Sequence, residues 1–241
     1  MPSAPAGSHT FVLVHGAWHG GWCWQRVVSL LEARRHRVFT PSLTGLGERA
    51  HLLTDDINLS THVEDIVRLL QSYDLSDIVL VGHSYGGMVI SGVAERAESA
   101  IRSLVFLDAF VPENGKALFD YLTEERREQN EALAAQNGYR FLPPVSAEFF
   151  NVNEDDRAWV DAKCAPQPYK TFTEKPRLSG ARERIKNKTY VRAEGYPAAY
   201  FAGFYEKLKA DPTWRVIALP CGHDVMVDMP ERLAQILEEA A

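Results

Sequence analysis

Short apolar runs recur along this chain, with helical periodicity between most of them. Phe11 to Val14, Arg37 to Thr40, Ile78 to Val81, Ser103 to Leu107, Thr189 to Arg192 and Val216 to Leu219 are rich in Val, Ile and Leu and read as buried strands. Between them, Cys23 to Ala33 places Val27, Leu30 and Leu31 on one helical face. Thr61-His62-Val63-Glu64 has the form of a capping box and predicts a helix through Tyr73, with Val63, Ile66, Val67 and Leu70 inward. Met88 to Ala94, Ala198 to Leu208 and Pro230 to Glu239 predict further helices, the last with Pro230 in its first turn. Strands alternating with helices predict an α/β fold, a six-stranded, mainly parallel sheet with helices on both faces. Reactive groups in such sheets gather at the carboxyl ends of the strands.

The pattern breaks after Pro112. From Glu113 to about Lys186 the chain is more charged, aromatics are scattered, and Pro143, Pro144, Pro166 and Pro168 interrupt it. Thr123 to Asn137 and Glu154 to Lys163 read as helices. This stretch predicts a helical lid inserted into a single domain spanning residues 1–241. Residues 1–9 predict a loose tail, without the basic start and apolar core of a secretory signal.

Composition narrows the partners. A net charge of −6 argues against nucleic acid or an anionic membrane surface. No stretch approaches the ~20 apolar residues of a membrane helix. Three widely spaced cysteines, Cys23, Cys164 and Cys221, supply neither a disulfide framework nor a C-x-x-C metal site, which fits a cytoplasmic protein. The expected partner is a small molecule, handled by a monomer or a homodimer.

The candidate chemistry starts at Gly82-His83-Ser84-Tyr85-Gly86. This G-x-S-x-G follows a predicted strand and opens a predicted helix, the setting that presents a nucleophilic serine on a tight turn. A phosphate loop is excluded, because no Lys follows these glycines. A serine nucleophile needs a base, and His223 follows the last strand. His83 adjoins Ser84 and should point away; His62 sits at a helix start; His15 and His19 share an H-x-x-x-H spacing but lie in a loop that denies them one helical face. No metal is expected. Two carboxylates could orient His223: Asp108, directly after the fourth strand and favoured, and Glu194, after the fifth. The N–H groups of Tyr85 and Ala17 are the candidate oxyanion donors. Trp18 and Trp22 are candidates for an apolar substrate pocket.

Three motifs now carry a family resemblance: Phe11 to Trp22, Gly82-His83-Ser84-Tyr85-Gly86-Gly87, and Gly222-His223-Asp224. They resemble the α/β-hydrolase superfamily, in particular the branch of plant methyl esterases, hydroxynitrile lyases and bacterial pyrethroid-hydrolase-type esterases. The resemblance implies the α/β-hydrolase fold, a Ser-His-acid triad and no cofactor. It is weak across the lid, so substrate identity does not carry over. Many members hold the acid after the penultimate strand, where this chain has Glu194; others hold it one strand earlier, where Asp108 stands. Lyases of the branch carry Lys after the catalytic His, where this chain has Asp224, and some have Thr or Asn after the first His, where it has Gly16. The expected activity is therefore hydrolysis of medium-sized hydrophobic or aryl carboxylic esters through an acyl-enzyme. A lyase on the same scaffold and a non-catalytic ligand binder are the rivals.

Overall fold

The computed structural model describes residues 7–241. Most of the tail expected at residues 1–9 lies outside these; its last two residues are fastened, Ser8 Oγ donating to Arg35 O and the His9 N–H to His36 Nδ1. The strands are β1 (Thr10–Val14), β2 (Arg37–Phe39), β3 (Ile78–His83), β4 (Ile101–Leu107), β5 (Phe141–Leu142), β6 (Gln167–Pro168), β7 (Asn187–Ala193) and β8 (Arg215–Leu219). The helices are α1 (Gln25–Ala33), α2 (Leu59–Ser72), α3 (Gly86–Ala97), α4 (Glu124–Gln136), α5 (Glu154–Lys163), α6 (Lys170–Thr173), α7 (Ala181–Arg184), α8 (Ala199–Lys209), α9 (Val225–Asp228) and α10 (Pro230–Glu239).

Six strands form one sheet in the order β2-β1-β3-β4-β7-β8, with every pair parallel. The central strands are buried along most of their length, Arg102 of β4 excepted, as their apolar runs require. Helix α1 packs against α10, and α2 against α3. The chain leaves β1 for β2 on one side and returns to β3 on the other. The loops after β1 and β3 therefore diverge at a switch point, where open α/β sheets keep their ligand crevice. Everything between β4 and β7 is inserted: α4 to α7 and the antiparallel ribbon β5–β6.

Two local expectations are corrected. The cap of α2 is Asn58, not Thr61: Asn58 Oδ1 accepts from the Thr61 N–H at 2.9 Å, and Thr61 Oγ1 accepts from the Asn58 N–H. Thr61 is thus the last residue of the box rather than its first, because an asparagine carbonyl caps as well as a hydroxyl. Residues Gly21–Trp24 form a 3-10 turn, so the α-helix expected from Cys23 begins at Gln25.

Candidate active site

Ser84 follows β3 with φ +53°, left-handed for a residue with a side chain. Backbone bonds hold this turn: the Ser84 N–H donates to Leu107 O, and Ser84 O accepts from the Gly87 and Phe110 N–H groups. The flanking glycines make it possible. A Cβ on Gly82 would lie 2.6 Å from Gly86 O, and one on Gly86 would lie 2.7 Å from Val14 O. The turn leaves the Ser84 side chain half-buried and, among the described residues, without a hydrogen-bond partner.

His223 and Asp108 meet across the sheet. The His223 Nδ1–H donates to Asp108 Oδ2 at 2.7 Å, which leaves Nε2 as the free ring nitrogen. Asp108 directly follows β4 and is also left-handed, φ +41°. Its other oxygen, Oδ1, accepts from Arg192 at 2.5 Å and from the Ala193 N–H at 3.1 Å. Arg192 is buried in β7 and also donates to Ala193 O and Tyr196 O. One carboxylate oxygen thus faces the imidazole while the other is neutralised by a cation. Glu194, the alternative acid, is exposed. The inserted segment holds His223 from the far side, the His223 N–H donating to Phe150 O; the Phe150 ring packs on the imidazole, as do those of Tyr196 and Phe201 from beyond β7. A Cβ on Gly222 would fall 2.1 Å from Asn151 O, so this approach requires glycine.

The loop after β1 faces Ser84. A Cβ on Gly16 would lie 2.9 Å from Ser84 Cβ, so this backbone passes very close to the serine. Among the described residues, neither the Ala17 nor the Tyr85 N–H has an acceptor in the protein. The Trp18 N–H, by contrast, is taken by Gln167 Oε1 at 3.0 Å.

The remaining histidines sort by their partners. His15 Nδ1–H donates to Gly16 O while Nε2 accepts from the Leu43 N–H, so the ring is neutral; burial pushes its pKa down to about 3. His62 donates through Nε2 to Thr44 O and accepts at Nδ1 from the Tyr85 hydroxyl; burial holds it at about 4. His83 points away from Ser84, donates through Nε2 to His223 O, and burial lowers it well below its ordinary value. His19 differs. Burial opposes its charge, but Asp224 Oδ2 at 2.9 Å outweighs that and raises the His19 pKa. His15 and His19 therefore have separate partners and share no ligand.

These shifts predict acid lability. An unfolded histidine takes up its proton near pH 6.5, whereas folded His15, His62 and His83 resist it to much lower pH. Below pH 6.5 the unfolded chain binds more protons, and stability falls by about 1.4 kcal/mol per pH unit for each such group. The raised His19 does not offset this, because its contribution is already complete below pH 6.5. The melting temperature should drop steadily from pH 6.5 to pH 4; a constant value would contradict the buried neutral rings.

Ser84, His223, Ala17, Trp18 and Tyr85 line one cavity. Its other walls are mostly aromatic, with Arg126 and Asn130 from α4 among them. Trp22 does not line it. That ring stacks on His19 and meets Trp159 of α5 edge-on, so the expectation of a pocket residue there is corrected: Trp22 packs the insertion onto the loop after β1. Asp224 is likewise buried behind His223 against His19, so its charge does not face the cavity. Sequence reasoning missed Arg192, although an arginine within an apolar strand was a signal. It also missed Arg126 and Asn130, which no periodicity distinguishes from surface positions.

Comparison with known proteins agrees with this architecture. The chain is 44% identical over 238 residues to a carbendazim hydrolyzing esterase of Nocardioides sp. (strain SG-4G), covering 94% of this chain and 97% of that one. It is 41% identical to Methylesterase 1 of Arabidopsis thaliana over 105 residues, 43% of this chain and 40% of the other. The structure superposes on an extracellular alpha/beta-hydrolase from a Paenibacillus species with TM-score 0.86 and 24% identity, covering 97% and 99% of the two chains. The family model for the alpha/beta hydrolases matches residues 11–236. On that match, and on the sheet that it spans, this chain belongs to the alpha/beta hydrolase family.

Proposed function

We propose that this protein is a serine carboxylic ester hydrolase of the carboxylesterase type. The observation that carries the reading is the Asp108–His223 hydrogen bond at 2.7 Å on the cavity that Ser84 also lines. In this reading Ser84 Oγ attacks the ester carbonyl and His223 Nε2 takes its proton. Asp108 fixes the imidazole tautomer and stabilises the imidazolium, while Arg192 and the Ala193 N–H hold its other oxygen in place. The Ala17 and Tyr85 N–H groups receive the developing oxyanion. His223 then protonates the leaving alcohol. Water, deprotonated by the same imidazole, releases the acid from Ser84.

One chain supplies every group in this scheme. The aromatic walls of the cavity support medium-sized hydrophobic or aryl esters, with Trp18 against the substrate and residues 113–186 as a lid. The ester-hydrolysing relatives support the same class. The lyase reading loses support, because no lysine is among the residues lining the cavity. Among the described residues no helix is long and apolar enough to cross a membrane, and the three cysteines are unbridged, which supports a cytoplasmic setting. Mixing with excess p-nitrophenyl hexanoate should release a burst of about one nitrophenolate per chain, followed by slower steady turnover. Absence of any ester turnover would refute the reading.

A further inference from the structure

Helix α4 carries two polar side chains into an otherwise aromatic cavity. Asn130 is 4% exposed and lines the cavity, yet its amide has no hydrogen-bond partner among the described residues. An amide on a cavity wall that bonds to nothing in the protein is free to complete its hydrogen bonding with a ligand or water. Arg126 stands four positions earlier, on the same helical face. It is half-buried, lies 4.6 Å over the Phe149 ring, and forms no ion pair among the described residues. The only hydrogen bond of its side chain there is a long one, 3.5 Å, to Gln129 Oε1. The Tyr196 and Tyr200 hydroxyls, 3.5 Å apart on the same wall, feel the Arg126 charge. An aromatic cavity thus holds a cation and an amide, both with donors unused and neither required by the hydrolytic groups.

We infer that Arg126 and Asn130 form a specificity subsite for an oxygen acceptor, so that the substrate is an ester whose acyl or alcohol part bears a carbonyl or carboxylate. The carboxylate should bind best, since it alone gains a charge-assisted bond from the guanidinium. This rests on the ester-hydrolase reading and adds the substrate's polar end to it.

Two matched pairs test the inference. Mono-p-nitrophenyl adipate and p-nitrophenyl hexanoate differ at the acyl end; 4-carboxyphenyl hexanoate and phenyl hexanoate differ in the alcohol. The carboxylate member of at least one pair should have a kcat/KM about tenfold higher. Arg126→Met and Asn130→Leu should each bring that ratio close to one. Arg126→Glu, which a folded protein tolerates at a half-exposed position, should push it below one. Ser84-dependent turnover with no preference in either pair, or a preference that survives all three variants, would overturn the subsite and leave the hydrolase reading intact. If no ester is turned over in a Ser84-dependent way, both fall together.

Discussion

Ser84→Ala should lower ester turnover by about a hundred-thousandfold, with the fold unchanged. The size follows from the chemistry. Without the hydroxyl no acyl-enzyme forms, and what remains is water attacking an ester held beside two oxyanion donors. The stability effect should be small. The Ser84 side chain makes no hydrogen bond within the described protein, and the turn is held by its backbone bonds to Leu107, Gly87 and Phe110. Replacing serine by alanine keeps φ at +53° no harder to reach than before. The check is steady-state kinetics on p-nitrophenyl hexanoate beside a thermal melt. Full residual turnover would remove Ser84 from the mechanism.

Asp108→Asn should cost about ten-thousandfold in kcat. An amide in this position donates to His223 instead of accepting, and so favours the tautomer with its proton on Nε2, which cannot take one from Ser84. The variant also leaves Arg192 without its carboxylate, although the Ala193 and Tyr196 carbonyls still accept from the guanidinium. Some loss of stability should therefore accompany the loss of rate, and a melt measures it separately. Glu194→Gln is the matched control. Glu194 is exposed, so its turnover should stay within about twofold of the parent. The reverse ranking would transfer the acid's role to Glu194.

Much of this architecture was legible in residue order, for identifiable reasons. All six strands of the sheet lie where apolar runs placed them: the central strands are buried on both faces and mostly apolar, and even the half-exposed edge strands β2 and β8 keep a short apolar run. Ser84 and His223 were legible because their surroundings are backbone-constrained: the glycines at 82, 86 and 222 are demanded by contacts under 3 Å. The choice between Asp108 and Glu194 was not, since both follow a strand and only the sheet order sets the distance to His223. The structure brings Asp108 to His223, and β7, which precedes Glu194, supplies the cation that pairs with Asp108.

The inserted segment was the least legible. Its helix α4 is polar around most of its circumference, so Asn130 is indistinguishable from a solvated residue until the cavity is seen. Trp22 misled for the opposite reason. A tryptophan in a glycine-rich loop suggests a pocket, but its partner Trp159 lies far along the chain, in α5. Asn58 and Thr61 differ by three positions, and either could have begun the box; the observed bonds decide.

The central claim is that one hydroxyl, activated by one imidazole, does the chemistry. Organophosphate labelling followed by peptide mass spectrometry tests it most directly. The account predicts a single label per chain, on Ser84, absent from Ser84→Ala and slowed at least a hundredfold in His223→Ala. A label on any other residue, or a rate untouched by the loss of His223, would contradict it.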